Sequence, residues 1–548
     1  MLNREATIAA TREAFQWDVP EFYNIGVDVC DKWASVEPDR LALIDIDAEG
    51  EAREYSFDDL RQMSSRFAHV LSGCAQQGER IGVLLPQCVE AAVSHIAIYK
   101  MGGIAQPLFT LFGPDALAYR LQDSGASVVV TNAQMAEVLE SIRQDLPALK
   151  TVISIDGPDG DIIGFHEASA VQRTSFAPVN SRADDPAVLI YTSGTTGNPK
   201  GALHAHRVLL GHLPGIEMSH DFFPKPEDKI WTPADWAWIG GLLDVLLPAL
   251  HHGVPVVACR FQKFSAEAAF DLIKSQGIRN AFLPPTAIKM MRQYPDAEKF
   301  GIKMRSVASG GEALGEELIS WGQKALGVTI NEFYGQTECN MIVSSCADLA
   351  APEPGVMGFP VPGHEVDVLN TESGEPLGVD EQGDIAVRSP DPVMFLRYWN
   401  RPEATSEKFR TVDGVKWLLT GDQGRKTHSG RIAFVGRDDD VINSSGYRIG
   451  PAEIEHCLLT HPAVAMAGVV GKPDVLRGEI VTGFVQLAEG FAPSDDLAQD
   501  ISNFVKTRLA AYEYPRELHF IDQMPLTTTS KIIRGDLRKL LLDQSSGA

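Results

Sequence analysis

The chain has 548 residues, 44% of them hydrophobic, which suits a globular protein of at least two domains. Acidic residues outnumber basic ones by 73 to 48, and the resulting net charge of −25 argues against nucleic acid or an anionic membrane surface as a partner. The seven cysteines form no CxxC pair, the charged N-terminus lacks a signal-peptide core, and no apolar run is long enough to span a membrane. We therefore expect a cytoplasmic protein without integral membrane association.

The first 180 residues alternate between strand and helix patterns. Ser56 and Asp59 have the spacing of a capping box, and glycines separate several of the later elements. The predicted elements are a helix from Ser56 to Ala68, a strand at 81–85, a helix from Cys88 to Met101, an apolar run ending near Pro107, and strands at 126–131 and 151–155. The order strand, helix, strand predicts a parallel sheet and an α/β fold.

A glycine- and hydroxyl-rich loop follows the apolar run 187–190 and reads Tyr-Thr-Ser-Gly-Thr-Thr-Gly-Asn-Pro-Lys-Gly from Tyr191 to Gly201. Glycines let backbone N–H groups converge on an anion, hydroxyls add donors and a lysine adds positive charge. The loop residues that fit this chemistry are Thr192, Ser193, Gly194, Thr195, Thr196, Gly197 and Lys200. This composition predicts a polyphosphate-binding loop. It is not a Walker motif, because Pro199 stands where that motif has a glycine.

The loop sequence TSGTTGNPKG resembles the signature of the adenylate-forming superfamily, which includes acyl-CoA synthetases, adenylation domains of peptide synthetases, and luciferases. The resemblance is strongest to medium-chain acyl-CoA synthetases. It implies a large N-terminal domain of stacked α/β subdomains with a β-subdomain, and a small, mobile α+β C-terminal domain. We expect the boundary between residues 437 and 438.

Beyond the loop, a helical stretch is predicted around His204 to His212, followed by an aromatic segment from Trp231 to Gly241. Three tryptophans within eight residues are as consistent with a packed core as with an apolar ligand pocket. In the superfamily this segment leads to the acyl site, so the resemblance implies that Trp236 and Gly240 line an acyl pocket.

Two further motifs resemble the family's nucleotide site. The turn Val307–Ala313 matches the adenine-side loop, and Glu332–Glu338 matches a strand-and-loop motif. The nucleotide-binding residues that the resemblance implies are Gly311, Glu312, Ala313, Glu332, Phe333, Tyr334, Gly335, Gln336 and Thr337. Within this set, Tyr334 offers a flat face for a purine and Thr337 a hydroxyl for the α-phosphate, while the following Glu338 offers a hard oxygen to magnesium.

The motifs near the predicted domain boundary extend the match. Asp422 and Arg437 are implied as ribose contacts, and Asp439 as the hinge on which the small domain turns. The residues implied to contact coenzyme A are Ser445, Gly446, Tyr447, Arg477, Lys506 and Tyr514, with Arg448 beside them. Near the end of the chain, Lys531 occupies the place of the family's catalytic lysine. The residue before it is Ser530 where the family has glycine, which restricts the backbone there.

The function expected from these matches is ATP-dependent acyl-CoA ligation with Mg²⁺. Lys531, Thr337, Glu338 and Lys200 are implied to act in formation of an acyl-adenylate, after which the small domain turns and the thiol of coenzyme A accepts the acyl group. The main alternative is a stand-alone enzyme that loads a carrier protein. A luciferase-like oxidase, a nucleotide-binding regulator without catalysis and an ordinary P-loop ATPase are the others. Either a monomer or a homodimer is compatible with the sequence.

Substrate length is suggested by one position. Acetate-specific relatives have a tryptophan that closes the acyl pocket where this chain has Gly335. Glycine there predicts an open floor with room for several carbons, each buried methylene contributing about 0.8 kcal/mol. Short branched, medium-chain and thioether carboxylates all remain compatible with the sequence.

Overall fold

The alternation of strands and helices expected from the sequence is present in the computed structural model. The structure describes residues 2–192, 199–259, 261, 264–311, 314–437, 440–444, 447–474, 477–509, 514–527 and 531–545. It is a mixed α/β protein with a large N-terminal and a small C-terminal domain. The position of the boundary between residues 437 and 438 stays a prediction.

The strands in chain order are β1 (Leu41–Ile46), β2 (Ala52–Ser56), β3 (Arg80–Leu84), β4 (Ile104–Pro107), β5 (Val128–Thr131), β6 (Thr151–Ser154), β7 (Ile163–Gly164), β8 (Pro186–Thr192), β9 (Lys200–Ala205), β10 (Ile230–Trp231), β11 (Val256–Cys259), β12 (Asn280–Phe282), β13 (Ser306–Gly310), β14 (Ile330–Gln336), β15 (Cys339–Ser344), β16 (Phe359–Pro360), β17 (Val366–Leu369), β18 (Gln382–Ser389), β19 (Arg397–Tyr398), β20 (Phe409–Val412), β21 (Val415–Lys426), β22 (Ile432–Arg437), β23 (Ile442–Ser444), β24 (Tyr447–Ile449), β25 (Val464–Asp474), β26 (Gly478–Leu487) and β27 (Glu517–Phe520).

The α-helices are α1 (Ile8–Ala14), α2 (Lys32–Val36), α3 (Phe57–Cys74), α4 (Val89–Lys100), α5 (Pro114–Ser124), α6 (Ala133–Ser141), α7 (Phe165–Ala170), α8 (Val208–Ser219), α9 (Ile239–Gly241), α10 (Leu247–His251), α11 (Ala266–Gln276), α12 (Pro285–Gln293), α13 (Glu316–Ala325), α14 (Pro402–Glu407), α15 (Pro451–Leu459), α16 (Asp495–Lys506) and α17 (Arg534–Ser545). The segments Val27–Asp31 and Leu242–Leu246 are π-helical, and Arg143–Asp145 and Ala297–Phe300 are 3₁₀-helical.

Two large sheets form most of the N-terminal domain. The eight-stranded sheet has the order β19-β9-β8-β4-β3-β5-β6-β7, and the nine-stranded sheet has the order β16-β15-β14-β13-β12-β10-β11-β1-β2. Buried side chains from both sheets and from α4 and α8 belong to one hydrophobic cluster, so the principal core lies between the sheets. The carboxyl ends of β8, β13 and β14 carry the motifs expected to bind nucleotide.

Two smaller sheets complete the fold. One has the order β17-β18-β21-β20, with β22 paired to β21, and Asp422 lies on its strand β21. The other has the order β24-β23-β26-β25, with β27 paired to β26, and it is the sheet of the C-terminal domain. Among the described residues, no helix is both long enough and apolar enough to cross a bilayer.

Most of the predicted early elements are confirmed. Ser56 accepts a hydrogen bond from the backbone N–H of Asp59 and the reciprocal contact completes the capping box of α3, while β3, β4, β5 and β6 pair in parallel as expected. The helix expected around His204 to His212 is confirmed only from Val208 onward, so His212 lies on α8. At His204 the expectation is wrong, because His204 lies on β9, which pairs antiparallel with β8.

Candidate active site

The predicted phosphate loop connects the two strands of a hairpin. Thr192 at the end of β8 pairs with Lys200 at the start of β9, and the Thr192 hydroxyl lies 3.4 Å from the carbonyl oxygen of Lys200. The hairpin therefore fixes both ends of the loop, whose residues 193–198 lie outside the described part of the chain.

Helix α5 supports this hairpin through contacts that sequence reasoning missed. Tyr119 donates to the carbonyl of Pro199 at 3.0 Å, and Tyr191 donates to Asp123 Oδ2 at 2.8 Å. The second oxygen of Asp123 accepts from Arg401 at 3.2 Å. No sequence motif joins these residues, which come from distant parts of the chain and meet only in the fold. Together they hold the rim of the loop.

Lys531 of the small domain reaches the large domain. Its ammonium group lies 5.9 Å from the centre of the Trp238 ring, and its Cε would lie 3.7 Å from a Cβ placed on Gly311. Gly311 has a φ of +97°, which a side chain would disfavour, and the Trp238 ring would lie 3.3 Å from the same Cβ. The lysine, the adenine-side turn and the aromatic segment thus meet at one point.

Two predicted nucleotide motifs are joined by a hydrogen bond. Tyr334, near the end of β14, donates its hydroxyl to Asp422 Oδ2 at 2.5 Å. Gln336 donates to the carbonyl of Thr420 at 2.9 Å, and Lys408 donates to the same carbonyl at 2.9 Å. The turn before Asp422 is thereby held against the loop that follows β14.

Burial and nearby charge act on Asp422 in opposite directions. Burial raises the pKa of Asp422, while Arg437, opposite it in the β21–β22 ladder, and the more distant Lys531 lower it. The pKa remains above its ordinary value because the effect of burial is larger. Arg437 is exposed at the edge of the site. The pair matches the two positions that the sequence assigned to the ribose.

Glu338 is a buried carboxylate with a polar partner. Tyr398 of β19 donates its hydroxyl to Glu338 Oε1, and the ammonium group of Lys200 lies 5.3 Å from the centre of the same tyrosine ring. The backbone carbonyl of Glu338 accepts from Phe395 at 2.9 Å. Glu338 and Lys200, expected to act on the same phosphates, are therefore connected through one aromatic ring. Thr337 beside them is half-buried.

Glu332 and Phe333 point into packed surroundings. Glu332 is 7% exposed, and burial raises its pKa to about 8, offset in part by a backbone hydrogen bond from Leu314. The Phe333 ring lies against Gly310, and its centre is 5.2 Å from that of the Phe282 ring, with the two planes tilted by 51°. Phe333 is therefore a core residue that packs beneath the site, although the sequence grouped it with the residues predicted to contact the nucleotide.

On the side expected to bind the acyl group, Trp236 and Trp238 differ. Trp236 is 2% exposed and belongs to the principal core. Trp238 is partly buried, and its ring and Phe282 would lie 3.0 Å and 2.9 Å from a Cβ placed on Gly240. Trp238, which the sequence analysis did not single out, is therefore the tryptophan that meets both Gly240 and Lys531.

Gly335 does not face open space in the direction of its missing side chain. A Cβ there would lie 2.5 Å from Asn340 Oδ1, 2.7 Å from Asn340 Cα and 3.0 Å from the carbonyl oxygen of Cys339. The open floor expected beneath Tyr334 is wrong in this direction, because the chain turns back between β14 and β15 and brings Asn340 against the glycine.

In the small domain, ion pairs connect the segment after residue 439 to the helix after Lys531. Arg534 donates to Asp440 at 3.2 Å and to Glu455 at 2.7 Å, and Arg538 donates to the other oxygen of Asp440 at 2.7 Å. Asp440 and Glu455 are 5% and 9% exposed, so both carboxylates are buried. The sequence analysis found no signal for this cluster.

Two of the residues expected to bind coenzyme A lie together. The ammonium group of Lys506 is 5.0 Å from the centre of the Tyr514 ring, and the guanidinium of Arg516 is also 5.0 Å from it. Arg477 begins the turn before β26, where its backbone N–H donates to Asp474 at 2.8 Å. Tyr447 and Arg448 lie on β24.

Several predicted residues lie outside the described part of the chain. They are Ser193, Gly194, Thr195, Thr196, Gly197, Glu312, Ala313, Asp439, Ser445, Gly446 and Ser530.

The comparison with known proteins identifies the family. The profile of the AMP-binding enzymes matches residues 30–399, and that of the AMP-binding enzyme C-terminal domain matches residues 453–531. The chain belongs to the AMP-binding enzyme family, and within it to the adenylate-forming acyl-CoA synthetases and ligases.

Individual relatives support this assignment over nearly the full chain. Acetyl-coenzyme A synthetase of Bacillus subtilis is 35% identical over 541 residues, 96% of this chain and 91% of its own. The mitochondrial acyl-coenzyme A synthetase ACSM4 of Rattus norvegicus is 33% identical, over 95% of this chain and 91% of its own. The crystal structure of ATP-bound MatB from Rhodopseudomonas palustris superposes with a TM-score of 0.83 at 28% identity, covering 95% of this chain and 99% of its own.

Proposed function

We propose that this protein is an ATP-dependent ligase that activates a short branched or medium-chain carboxylate as an acyl-adenylate and transfers the acyl group to coenzyme A. AMP and pyrophosphate are the other products. The observation that carries the proposal is the approach of Lys531 to Gly311 and Trp238, because it brings a cation of the small domain to the junction of the nucleotide and acyl sides.

In the first half-reaction the carboxylate attacks the α-phosphorus of ATP and pyrophosphate leaves. Negative charge develops on the transferring group, and fixed cations or donors aimed at it lower the barrier. Lys531 is the cation, and Thr337, half-buried next to Glu338 in the chain, supplies a hydroxyl. Lys200, at the end of the loop between β8 and β9, neutralises the leaving phosphates.

The nucleoside part of ATP is held by Tyr334 and its partners. The hydrogen bond from Tyr334 orients the carboxylate of Asp422. The carboxylate can still accept hydrogen bonds from the ribose hydroxyls, and Arg437, its partner in the strand ladder, can donate to them. We assign the adenine to the turn at Gly311, whose φ of +97° favours glycine.

A magnesium ion fits this site because Glu338 offers a buried carboxylate oxygen beside the loop expected to hold the phosphates. Mg²⁺ is commonly held by one or two carboxylates plus phosphate oxygens, and it would screen the charge of the polyphosphate. Tyr398, which donates to Glu338, would fix the orientation of that carboxylate.

For the second half-reaction, we assign coenzyme A to the small domain. The hairpin of β23 and β24, Arg477, and the pair of Lys506 with Tyr514 supply cations and an aromatic face for its phosphates and adenine. Rotation about the residues near 439 would remove Lys531 from the site and bring the hairpin to the acyl-adenylate.

The test is a carboxylate panel with purified protein, ATP and Mg²⁺, with and without coenzyme A, scored by AMP release. Multiple turnovers that require coenzyme A support the proposal. Acyl-adenylate formation without turnover in its presence would instead indicate an enzyme that loads a carrier protein. Absence of any acid-dependent AMP would contradict both.

A further inference from the structure

A group of buried polar side chains lies against Gly335, and none of them is among the residues predicted to bind nucleotide. Asn340 Oδ1 faces Gly335, at 2.5 Å from the position of a Cβ there. The amide nitrogen of Asn340 donates to both oxygens of Asp244, at 2.7 and 2.9 Å. His212 Nε2 lies 3.9 Å from Asp244 Oδ1. We call Asn340, Asp244 and His212 the polar triad.

The triad is sealed from solvent, with Asn340, Asp244 and His212 respectively 5%, 2% and 0% exposed. Burial raises the pKa of Asp244 well above its ordinary value and lowers that of His212 to about 4. Burial therefore disfavours the charged form of both side chains.

One atom of the triad lacks a partner. His212 Nδ1 contacts the carbonyl of Val208 at 2.8 Å, so in the neutral ring this nitrogen carries the proton and Nε2 is an acceptor. Among the described residues, nothing hydrogen-bonds to His212 Nε2. A buried polar atom left unpaired typically costs about 1–3 kcal/mol, so a group that satisfies it would bind favourably.

Asp244 of the triad lies on the same helical run as Gly240, close to the aromatic residue that approaches Lys531. Asp244 follows Gly240 by four residues in the continuous helical run formed by α9, the π-helical turn Leu242–Leu246 and α10. Asp244 and Gly240 are therefore about one helical turn apart. The position of a Cβ on Gly240 lies 3.0 Å from the Trp238 ring, and Trp238 approaches Lys531. The triad is thus close to the aromatic segment expected to bind the acyl group.

We infer that the polar triad recognises an uncharged hydrogen-bond donor, such as a hydroxyl, on the part of the substrate distant from the reacting carboxylate. This rests on the proposed function and narrows its substrate class from plain alkyl acids to hydroxylated ones. The triad offers two acceptors, Asn340 Oδ1 and His212 Nε2, and a hydroxyl can donate to one of them. Burying an ammonium group there would cost far more than burying a hydroxyl.

The expected selectivity follows from the same contacts. A site built to hydrogen-bond a substrate hydroxyl rejects the analogue that lacks it, because its own polar groups are then left unpaired. Plain fatty acids should therefore be the poorer substrates, even though the aromatic segment beside Gly240 could accommodate their methylenes.

The experiment measures kcat/KM for three matched pairs of acids with the full-length protein: butyrate and 4-hydroxybutyrate, pentanoate and 5-hydroxypentanoate, hexanoate and 6-hydroxyhexanoate. We expect the hydroxylated acid to exceed its parent by at least about tenfold for one pair or more. In Asp244→Leu this ratio should fall below one, because the polar end becomes apolar.

His212→Phe is a second variant of the triad, for use where Asp244→Leu does not fold, and it should lower the same ratio. Asp221→Asn is the matched control, since Asp221 is also a buried acid whose pKa burial raises, and it lies outside the triad. It should leave the ratio unchanged.

If the wild-type protein shows a higher kcat/KM for the plain acid of every pair, the inference is overturned. The triad would then hydrogen-bond a buried water molecule and not the substrate. Ratios unchanged in both triad variants would overturn it as well. Loss of AMP release with all acids in the wild-type protein would instead contradict the proposed function on which the inference depends.

Discussion

Lys531 and Trp238 come from different domains, yet the lysine ammonium lies 5.9 Å from the centre of the indole ring. The contact joins the two domains in the arrangement that we propose for the first half-reaction. A cation over an indole gains about 0.5–1 kcal/mol when exposed and more when water is excluded. The contact therefore favours this arrangement of the two domains.

Replacement of the lysine should separate the two half-reactions. We expect Lys531→Ala to slow acyl-adenylate formation by about 10²–10³, the usual loss for one donor aimed at developing charge. Transfer from supplied acyl-adenylate to coenzyme A should change little, because Lys531 is not used there. Pyrophosphate exchange and thioester formation measure the two steps. Lys539→Ala, an exposed lysine of the same domain, is the control, and equal loss in both steps would contradict the role given to Lys531.

The buried ion pairs of Arg534 should position that lysine. Removing one partner of a buried pair typically costs about 3–5 kcal/mol, because the other charge is left uncompensated. In Arg534→Met the loop that carries Lys531 loses its link to Asp440 and Glu455. We expect pyrophosphate exchange to fall by more than thioester formation, and expect Arg534→Lys to restore part of it.

Arg538→Met provides the comparison for Arg534→Met, since the Arg538 side chain is 36% exposed against 20% for Arg534. Its effect on pyrophosphate exchange should be the smaller of the two. In one outcome, Arg534→Met lowers the free energy of unfolding but leaves the ratio of pyrophosphate exchange to thioester formation at its wild-type value. That result would refute the positioning role of Arg534.

A side chain at Gly335 should harm short and long substrates alike. The close approach of Asn340 means that even Gly335→Ala requires the backbone to shift, at a typical cost of about 1–3 kcal/mol. We expect kcat/KM for acetate and hexanoate to fall in parallel. Gly73→Ala in α3, where a Cβ meets nothing within 4 Å, is the control and should be neutral or stabilising. If kcat/KM falls for hexanoate but not for acetate, Gly335 faces the acyl chain, as the sequence predicted.

Glu332 should make the protein less stable as the pH rises. Its pKa is raised from 4.5 to about 8 in the folded state, so between these values the native state holds a proton that the unfolded state has released. The free energy of unfolding therefore falls across this window, by at most about 1.4 kcal/mol per pH unit from this group. In Glu332→Gln that contribution should disappear.

Urea unfolding at several pH values between 5 and 8 measures the effect as the difference between wild type and variant. Taking the difference cancels the contribution of buried histidines such as His220, whose pKa is lowered to about 3. Such histidines make the free energy of unfolding rise with pH, which is opposite to the effect of Glu332. Glu298→Gln, at an exposed acid, should leave the slope unchanged. A parallel pH dependence for Glu332→Gln and wild type would show that the carboxyl is ionised in the folded protein.

The sequence predicted those parts of the site in which chemistry is local. The hydroxyl-rich loop, the tyrosine motif and the segment around Asp422 each carry their residue types in a short stretch, and Tyr334 donates to Asp422 in the fold. The hinge, the coenzyme A contacts and the cytoplasmic location stay predictions. Capping at Ser56 was predictable for the same reason, because every atom of the capping box lies within four residues.

Features that depend on distant partners were not predictable. His204 has the composition of a helix around it, but pairing with β8 holds it in a strand. Gly335 suggested open space, since nothing in its own motif indicates that Asn340 would turn back against it. Asp123 supports the loop by bonding to Tyr191 and Arg401, which come from two other segments of the chain. None of the three segments carries a motif that predicts these contacts.

The two-residue strand β19 has a consequence for dissecting the enzyme. Arg397 and Tyr398 pair with Leu203 and Ala202 and so cover the outer edge of β9. A recombinant fragment that stops before Arg397 would expose that edge, and unpaired strand edges recruit other chains. It would also lose the tyrosine that orients Glu338. Soluble expression of the large domain by itself should therefore require that the fragment continue past Tyr398.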